Sequence, residues 1–136
     1  MNTLVIGYGN SLRGDDGAGP FVARQLGAGA IACHQLMPEL AETISQAPQV
    51  VFVDAHAGVH AGQIAVLSVE PRASAATHRF DPGTLLAWSQ LLYGRAPAAI
   101  LIGIGGKSFA LGEGLSPAAK RGAREALRAI RKMTGQ

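Results

Sequence analysis

Only one cysteine, Cys33, occurs in the 136 residues, so no intrachain disulfide can form and the core has to hold the fold by itself. Aromatic residues are scarce at 5%, against 18 glycines and an apolar share of 48%, a balance that suits a compact α/β domain with tight turns. No apolar run is long enough to span a bilayer, and the N-terminus enters a strand without a leader, so a cytoplasmic location with no membrane partner is expected. Several hydrolase signatures are missing as well. There is no Gly-x-Ser-x-Gly elbow, no His-Glu-x-x-His and no Cys-x-x-Cys, which leaves a serine, cysteine or zinc hydrolase of the usual kinds without footing. Cys33 and His34 are neighbours on an expected strand, so their side chains face opposite ways and form no nucleophile-base pair. His56 and His60 have the spacing of two helical ligands, but Gly58 lies between them in a short segment, and they are read as loop residues.

Length sets one domain over residues 1–136, large enough to bury roughly two-thirds of the surface its unfolded chain exposes. The net charge of +3 hints at nucleic acid until it is located. Between Pro117 and Met133, Lys120, Arg121, Arg124, Arg128, Arg131 and Lys132 face Glu125 alone, and the rest of the chain is net negative. One helix carries the whole excess, which reads as a solvated face rather than a nucleic-acid surface; an acidic protein partner is the minority reading.

Taken in order, residues Asn2 to Tyr8 read as a strand buried on both faces, and Gly9 to Asp16 as a loop. From Gly17 the apolar Ala18, Phe21, Val22 and Leu26 recur at helical spacing with Pro20 in the first turn, and Gly27 and Gly29 stop the helix. A second strand is expected over Ala30 to Leu36, then a helix opening at Pro38 with Glu39 and Glu42 in its first turn. Val50 to Val53 is a buried strand ending at Asp54. Ala55 to Gln63 is too short and glycine-rich for a helix, so Ile64 to Val69 is expected to return as an antiparallel, hairpin-like strand. An irregular connection from Glu70 to Asp81 holds His78. Asp81-Pro82 and Ser116-Pro117 read as N-caps followed by proline, opening two more helices around the strand Ala98 to Ile104. The fold is therefore expected to be α/β and three-layered: a five-stranded, mostly parallel twisted sheet with helices on both faces and one antiparallel strand near residues 64 to 69.

The loop after the first strand is unusual. A strand-loop-helix unit ordinarily aims bare N–H groups and a positive helix end at an anion, yet here Asp15 and Asp16 occupy that place, where phosphate would be repelled and a metal ion would not. Gly7 and Gly9 begin a dinucleotide fingerprint, but Leu12 stands where its third glycine belongs. Asp54 falls at the same carboxyl-terminal edge of the sheet, and the loop with His78 is free to fold over it. Two carboxylates and an imidazole make an O/O/N set suited to a borderline divalent metal with positions left open. Each has a plainer reading: Asp16 complementing a helix N-terminus, Asp54 merely ending its strand, His78 decorating the surface. A receiver-type phospho-acceptor domain resembles the chain in length, in its acidic pair, in Asp54 and in a lysine after strand five, where Lys107 stands. There the acidic pair directly ends the strand, whereas here Gly9 to Gly14 intervene.

The run Gly7-Tyr8-Gly9-Asn10-Ser11-Leu12-Arg13-Gly14-Asp15-Asp16-Gly17-Ala18-Gly19 resembles the signature of the hydrogenase maturation endopeptidases. So do Leu36-Met37-Pro38-Glu39-Leu40-Ala41, Val53-Asp54-Ala55, the segment from His78 through Pro82 to Leu86, Leu92-Tyr93-Gly94 and Gly112-Glu113-Gly114-Leu115-Ser116-Pro117. What the resemblance implies is a hydrolase with one substrate, the precursor of a nickel-iron hydrogenase large subunit, whose C-terminal extension is removed once nickel is in place. It implies nickel ligation by Asp16, Asp54 and His78, with Asp16 a shorter variant of the glutamate often found in relatives, and Asp16 and Asp54 as the catalytic acids. The nickel comes with the precursor, no permanently bound cofactor is expected, and a monomer is anticipated. The family is sometimes classed with the aspartic proteases, although this chain has no Asp-Thr/Ser-Gly pair. A non-catalytic escort of the large subunit is the remaining alternative.

Overall fold

In a computed structural model, which describes residues 3–72 and 80–135, five strands form one sheet: β1 (Thr3–Tyr8), β2 (Ala30–Cys33), β3 (Gln49–Ala55), β4 (Ile64–Val69) and β5 (Ala98–Ile104). The helices are α1 (Ala18–Leu26), α2 (Leu40–Ser45), α3 (Pro82–Tyr93) and α4 (Pro117–Thr134). Strand alternation decides which helix packs where. Val5, Val51, Val53, Ile102 and Ile104 face one side and bury Ala18 and Val22 of α1 with Ala123, Ala126 and Ile130 of α4. Ile6, Val50 and Phe52 face the other and bury Ala41 and Ile44 of α2 with Leu85 and Leu86 of α3. The expected three layers are there, with a helix pair on each face of the sheet.

The strand order is β2-β1-β3-β5-β4, parallel except that β4 runs antiparallel to β5. The antiparallel strand lies where the sequence reading has it, at Ile64–Val69. Its hairpin-like return does not hold, because β4 pairs with β5 and β5 lies between it and β3. Burial explains the exchange. Ile102 and Ile104 are fully buried and need neighbours on both sides, whereas β4 leaves Val66 and Leu67 about half exposed, at 50% and 49%, and tolerates the edge. The second strand is shorter than expected. β1 ends at Tyr8, opposite Cys33, so the chain beyond Cys33 has no partner and turns instead to bury Leu36 beneath α2 and α3.

Local signals hold up the helices. Asp81 Oδ1 accepts from Thr84 N at 2.8 Å and Ser116 Oγ accepts from Ala119 N at 3.1 Å, each ahead of a proline in the first turn. Gly19 lets α1 lie directly on the sheet: a Cβ there would meet Val53 O at 2.3 Å and Tyr8 O at 2.6 Å. The six cations of α4 are all exposed while its alanine-rich stripe is buried, as a solvated basic face requires. Among the described residues no helix is long and apolar enough to cross a membrane.

Candidate active site

β1 and β3 stand side by side although α1, β2 and α2 separate them in sequence, and such a reversal of strand order opens a crevice beyond the carboxyl ends of the strands. The loop leaving β1 fills part of it. Gly9 has φ +148°, and a Cβ on it would strike Asp16 O at 2.0 Å, so only glycine lets the loop fold back on itself here. Asn10 then organises the turn: its Oδ1 accepts from Leu12 N at 2.9 Å and its carbonyl from Arg13 N at 3.0 Å. A 3-10 turn over Gly14–Gly17 presents the two aspartates in different directions.

Asp15 points inward and is 1% exposed. Its Oδ2 accepts from Lys107 N at 2.7 Å, Ser108 N at 3.1 Å and Ser116 Oγ at 2.7 Å, and its Oδ1 from Ser116 N at 2.7 Å. Burial works against its charge, but the hydrogen bonds, led by Ser116 and Lys107, outweigh it and hold the carboxyl below its ordinary range. The carboxylate thus locks the β1–α1 loop to the β5–α4 loop. The lock is extended by Asp15 N donating to Ser108 O and Gly14 N to Gly112 O, both at 2.8 Å.

Asp16 and Asp54 meet in one cleft of about 430 Å³, lined also by Tyr8, Asn10, His34, Met37 and Phe80. Asp16 Oδ2 accepts from Asn10 N at 2.7 Å, so it supports its own loop and makes no side-chain cap on α1. Asp54 Oδ2 accepts from the Tyr8 hydroxyl at 3.0 Å, while its Oδ1 is buried and has no hydrogen-bond partner among the described residues. Burial raises the Asp54 carboxyl first of all; the Tyr8 hydrogen bond and the charge of His56 draw it down, the Asp16 carboxylate pushes it up, and the outcome is about 6. Burial and the neighbouring Asp54 charge raise the Tyr8 phenol far above its ordinary value, so it stays protonated and donates. A buried carboxylate oxygen without a donor, beside a second carboxylate, is an arrangement that a divalent cation relieves. A larger groove of about 510 Å³ at the other end of the sheet has, among the described residues, Glu70 as its one ionisable side chain.

Of the residues singled out in the sequence, Asp16 and Asp54 are brought together and Asp15 is set apart as a structural latch. His78 lies outside the described residues. Among the described residues no three His, Cys, Asp or Glu side chains gather as a metal site. His56 and His60 are loop residues, as expected, and the His56 Nδ1 accepts from Gly58 N at 3.1 Å. Sequence reasoning missed Tyr8 and read Ser116 as a helix cap alone, without its bonds to Asp15. Tyr8 follows Gly7 as Asp54 follows Val53, and Gly7 and Val53 are paired in a register that only the folded sheet defines. The tie between Asp15 and Ser116 joins segments 101 residues apart and left no local trace.

No protein-family model matches the chain, and no curated protein does. Solved structures do. HycI, a NiFe hydrogenase maturation protease from Thermococcus kodakarensis KOD1, is 26% identical with a TM-score of 0.76, over 99% of this chain and 93% of its own. HybD, a NiFe hydrogenase maturation protease from Thermococcus kodakarensis, is 27% identical with a TM-score of 0.76, over 98% and 99%. The hydrogenase maturating endopeptidase HybD from E. coli has the same fold at 20% identity and a TM-score of 0.77, over 99% and 94%. The likeness seen around Asp16 therefore extends along nearly the whole chain, which resembles the hydrogenase maturation endopeptidases in fold and extent.

Proposed function

We propose that this chain is an endopeptidase that removes the C-terminal extension of a nickel-iron hydrogenase large-subunit precursor after nickel insertion, and that it recognises the nickel carried by the precursor. The observation that carries the reading is the pairing of Asp16 with Asp54 in one cleft, with one buried oxygen of Asp54 left without a donor among the described residues. The likeness to hydrogenase maturation proteases supports it.

Nickel is part of the substrate here, and when bound it supplies Lewis acidity at the scissile carbonyl. Asp16 and Asp54 offer it carboxylate oxygens from two separate loops, with His78 as the expected third donor, and leave room for the thiolates that the precursor brings. A site of this kind is a reader: nickel on the precursor is attracted to the two carboxylates and neutralises them, and a nickel-free precursor lacks that attraction and binds more weakly. The attacking water gives its proton to Asp16 or Asp54, whichever keeps a carboxylate oxygen free of the metal. The rigid latch at Asp15 keeps the Asp16 loop in place through this exchange.

Intact-mass spectrometry of nickel-loaded and nickel-free precursor, each incubated with the purified protein, tests the reading. Loss of a C-terminal fragment from the loaded form alone is expected. Binding without a change in mass would instead make the protein an escort. Mg²⁺-dependent labelling of Asp54 by an acyl phosphate would make it a receiver-type domain, a reading that the commitment of both Asp15 oxygens to β5–α4 loop donors and Ser116 disfavours.

A further inference from the structure

Asp54 has two carboxylate oxygens in unlike states. Tyr8 holds Oδ2 at 3.0 Å, and Oδ1 is buried without a hydrogen-bond partner among the described residues. The hold is stiff for two reasons. Tyr8 ends β1 and Asp54 lies in β3, and the pairing of Gly7 with Val53 one residue earlier puts the two side by side on neighbouring strands. The Tyr8 ring also packs into the half of the core built around Ile6, Phe52 and Leu86, which leaves it little freedom to swing away.

We propose that Tyr8 is a positioning residue for the metal-reading site: by occupying Oδ2 it fixes the Asp54 carboxylate so that Oδ1 alone meets an incoming metal ion. This rests on the functional reading above and adds a residue to it. A carboxylate free to rotate can chelate with both oxygens, or turn away; one tied at Oδ2 makes a single, directed bond. Hydrogen-bond partners standing behind a metal ligand orient it in this way, and losing one costs about 10–100-fold in metal affinity or activity. Tyr8 lines the same cleft as Asp16 and Asp54, so its hydroxyl acts from within the site.

The test is a double-mutant cycle in Ni²⁺ affinity, measured by titration calorimetry on the full chain with Ni²⁺ alone: wild type, Tyr8→Phe, Asp54→Ala and the double variant. Tyr8→Phe keeps the ring in the core, and its melting temperature is measured alongside. In the wild-type background the substitution is expected to weaken Ni²⁺ binding by about tenfold or more; in the Asp54→Ala background it is expected to change nothing, since Tyr8 acts through Asp54. Should Asp54→Ala fail to fold, Asp54→Asn replaces it in the cycle. Unchanged affinity in Tyr8→Phe overturns the proposal, as does an equal loss in both backgrounds or the absence of any Ni²⁺ binding that depends on Asp54. The mass assay on the wild type reports separately on whether the protein is a peptidase, so failure of that reading and failure of this one are told apart.

Discussion

Two adjacent aspartates, identical in chemistry, end up with opposite tasks because the 3-10 turn that holds them sends one into the protein and the other into the cleft. Asp15→Asn keeps the volume but replaces an acceptor oxygen with a donor facing Lys107 N, Ser108 N or Ser116 N, and is expected to cost about 2–4 kcal/mol in urea unfolding. The contribution of Asp15 depends on pH in a definite direction: its folded carboxyl lies below the unfolded one, so the stabilisation is present above about pH 4 and is lost as pH falls through the folded value. Asp54 has the reverse sign. Its folded carboxyl is raised to about 6, so stability is highest below the unfolded value and is lost as pH rises through 6. Asp54→Asn, which does not titrate, is therefore expected to be more stable than wild type at pH 7.5, by on the order of 1–3 kcal/mol, and to lose that advantage near pH 4, as followed by urea unfolding across pH. The sequence presents Asp15 and Asp16 as a pair, and nothing local separates them, because what distinguishes Asp15 is a set of donors that arrive from residues 107 to 116.

At the scale of the element, what was legible is what is local. Asp81-Pro82 and Ser116-Pro117 open α3 and α4 at the expected residues because a cap and a proline act within one turn. Strand order is not local. Ile64–Val69 follows β3 in sequence, yet it yields the place beside β3 to β5, whose fuller burial no window of sequence reports. Two substitutions separate local from non-local roles. Asp81→Ala removes a cap and a largely solvent-screened ion pair with Arg72 at 4.0 Å, and is expected to cost about 1 kcal/mol. Ser116→Ala removes a cap and also the hydroxyl donated to Asp15, so it is expected to cost more than Asp81→Ala in the same urea unfolding measurement. Gly19→Ala, harmless by helix propensity, is expected to destabilise by more than about 2 kcal/mol, because its Cβ would have to share space with Val53 O and displace α1 from the sheet edge that carries Asp54.

For the molecule as a whole, the sheet delivers Tyr8 and Asp54 to one edge, the β1–α1 loop adds Asp16, and Asp15 ties that loop to the far side of the same edge. The sequence located this edge through its glycine-aspartate loop and the carboxylate after β3. It did not show that Tyr8 supports Asp54, since that contact depends on a strand register that only the folded sheet defines. The basic face of α4 is solvated along its length and stands outside this arrangement. If the account is right, Asp16 matters more to the reaction than to the fold, because its hydrogen bond from Asn10 N stays within its own loop and an asparagine oxygen can still accept it. The most direct measurement is the rate of tail release from nickel-loaded precursor by Asp16→Asn, with its unfolding free energy determined on the same sample. Stability within about 1 kcal/mol of wild type, together with an unclipped precursor, is the outcome the account predicts. A folded Asp16→Asn that clips the precursor at the wild-type rate would contradict it.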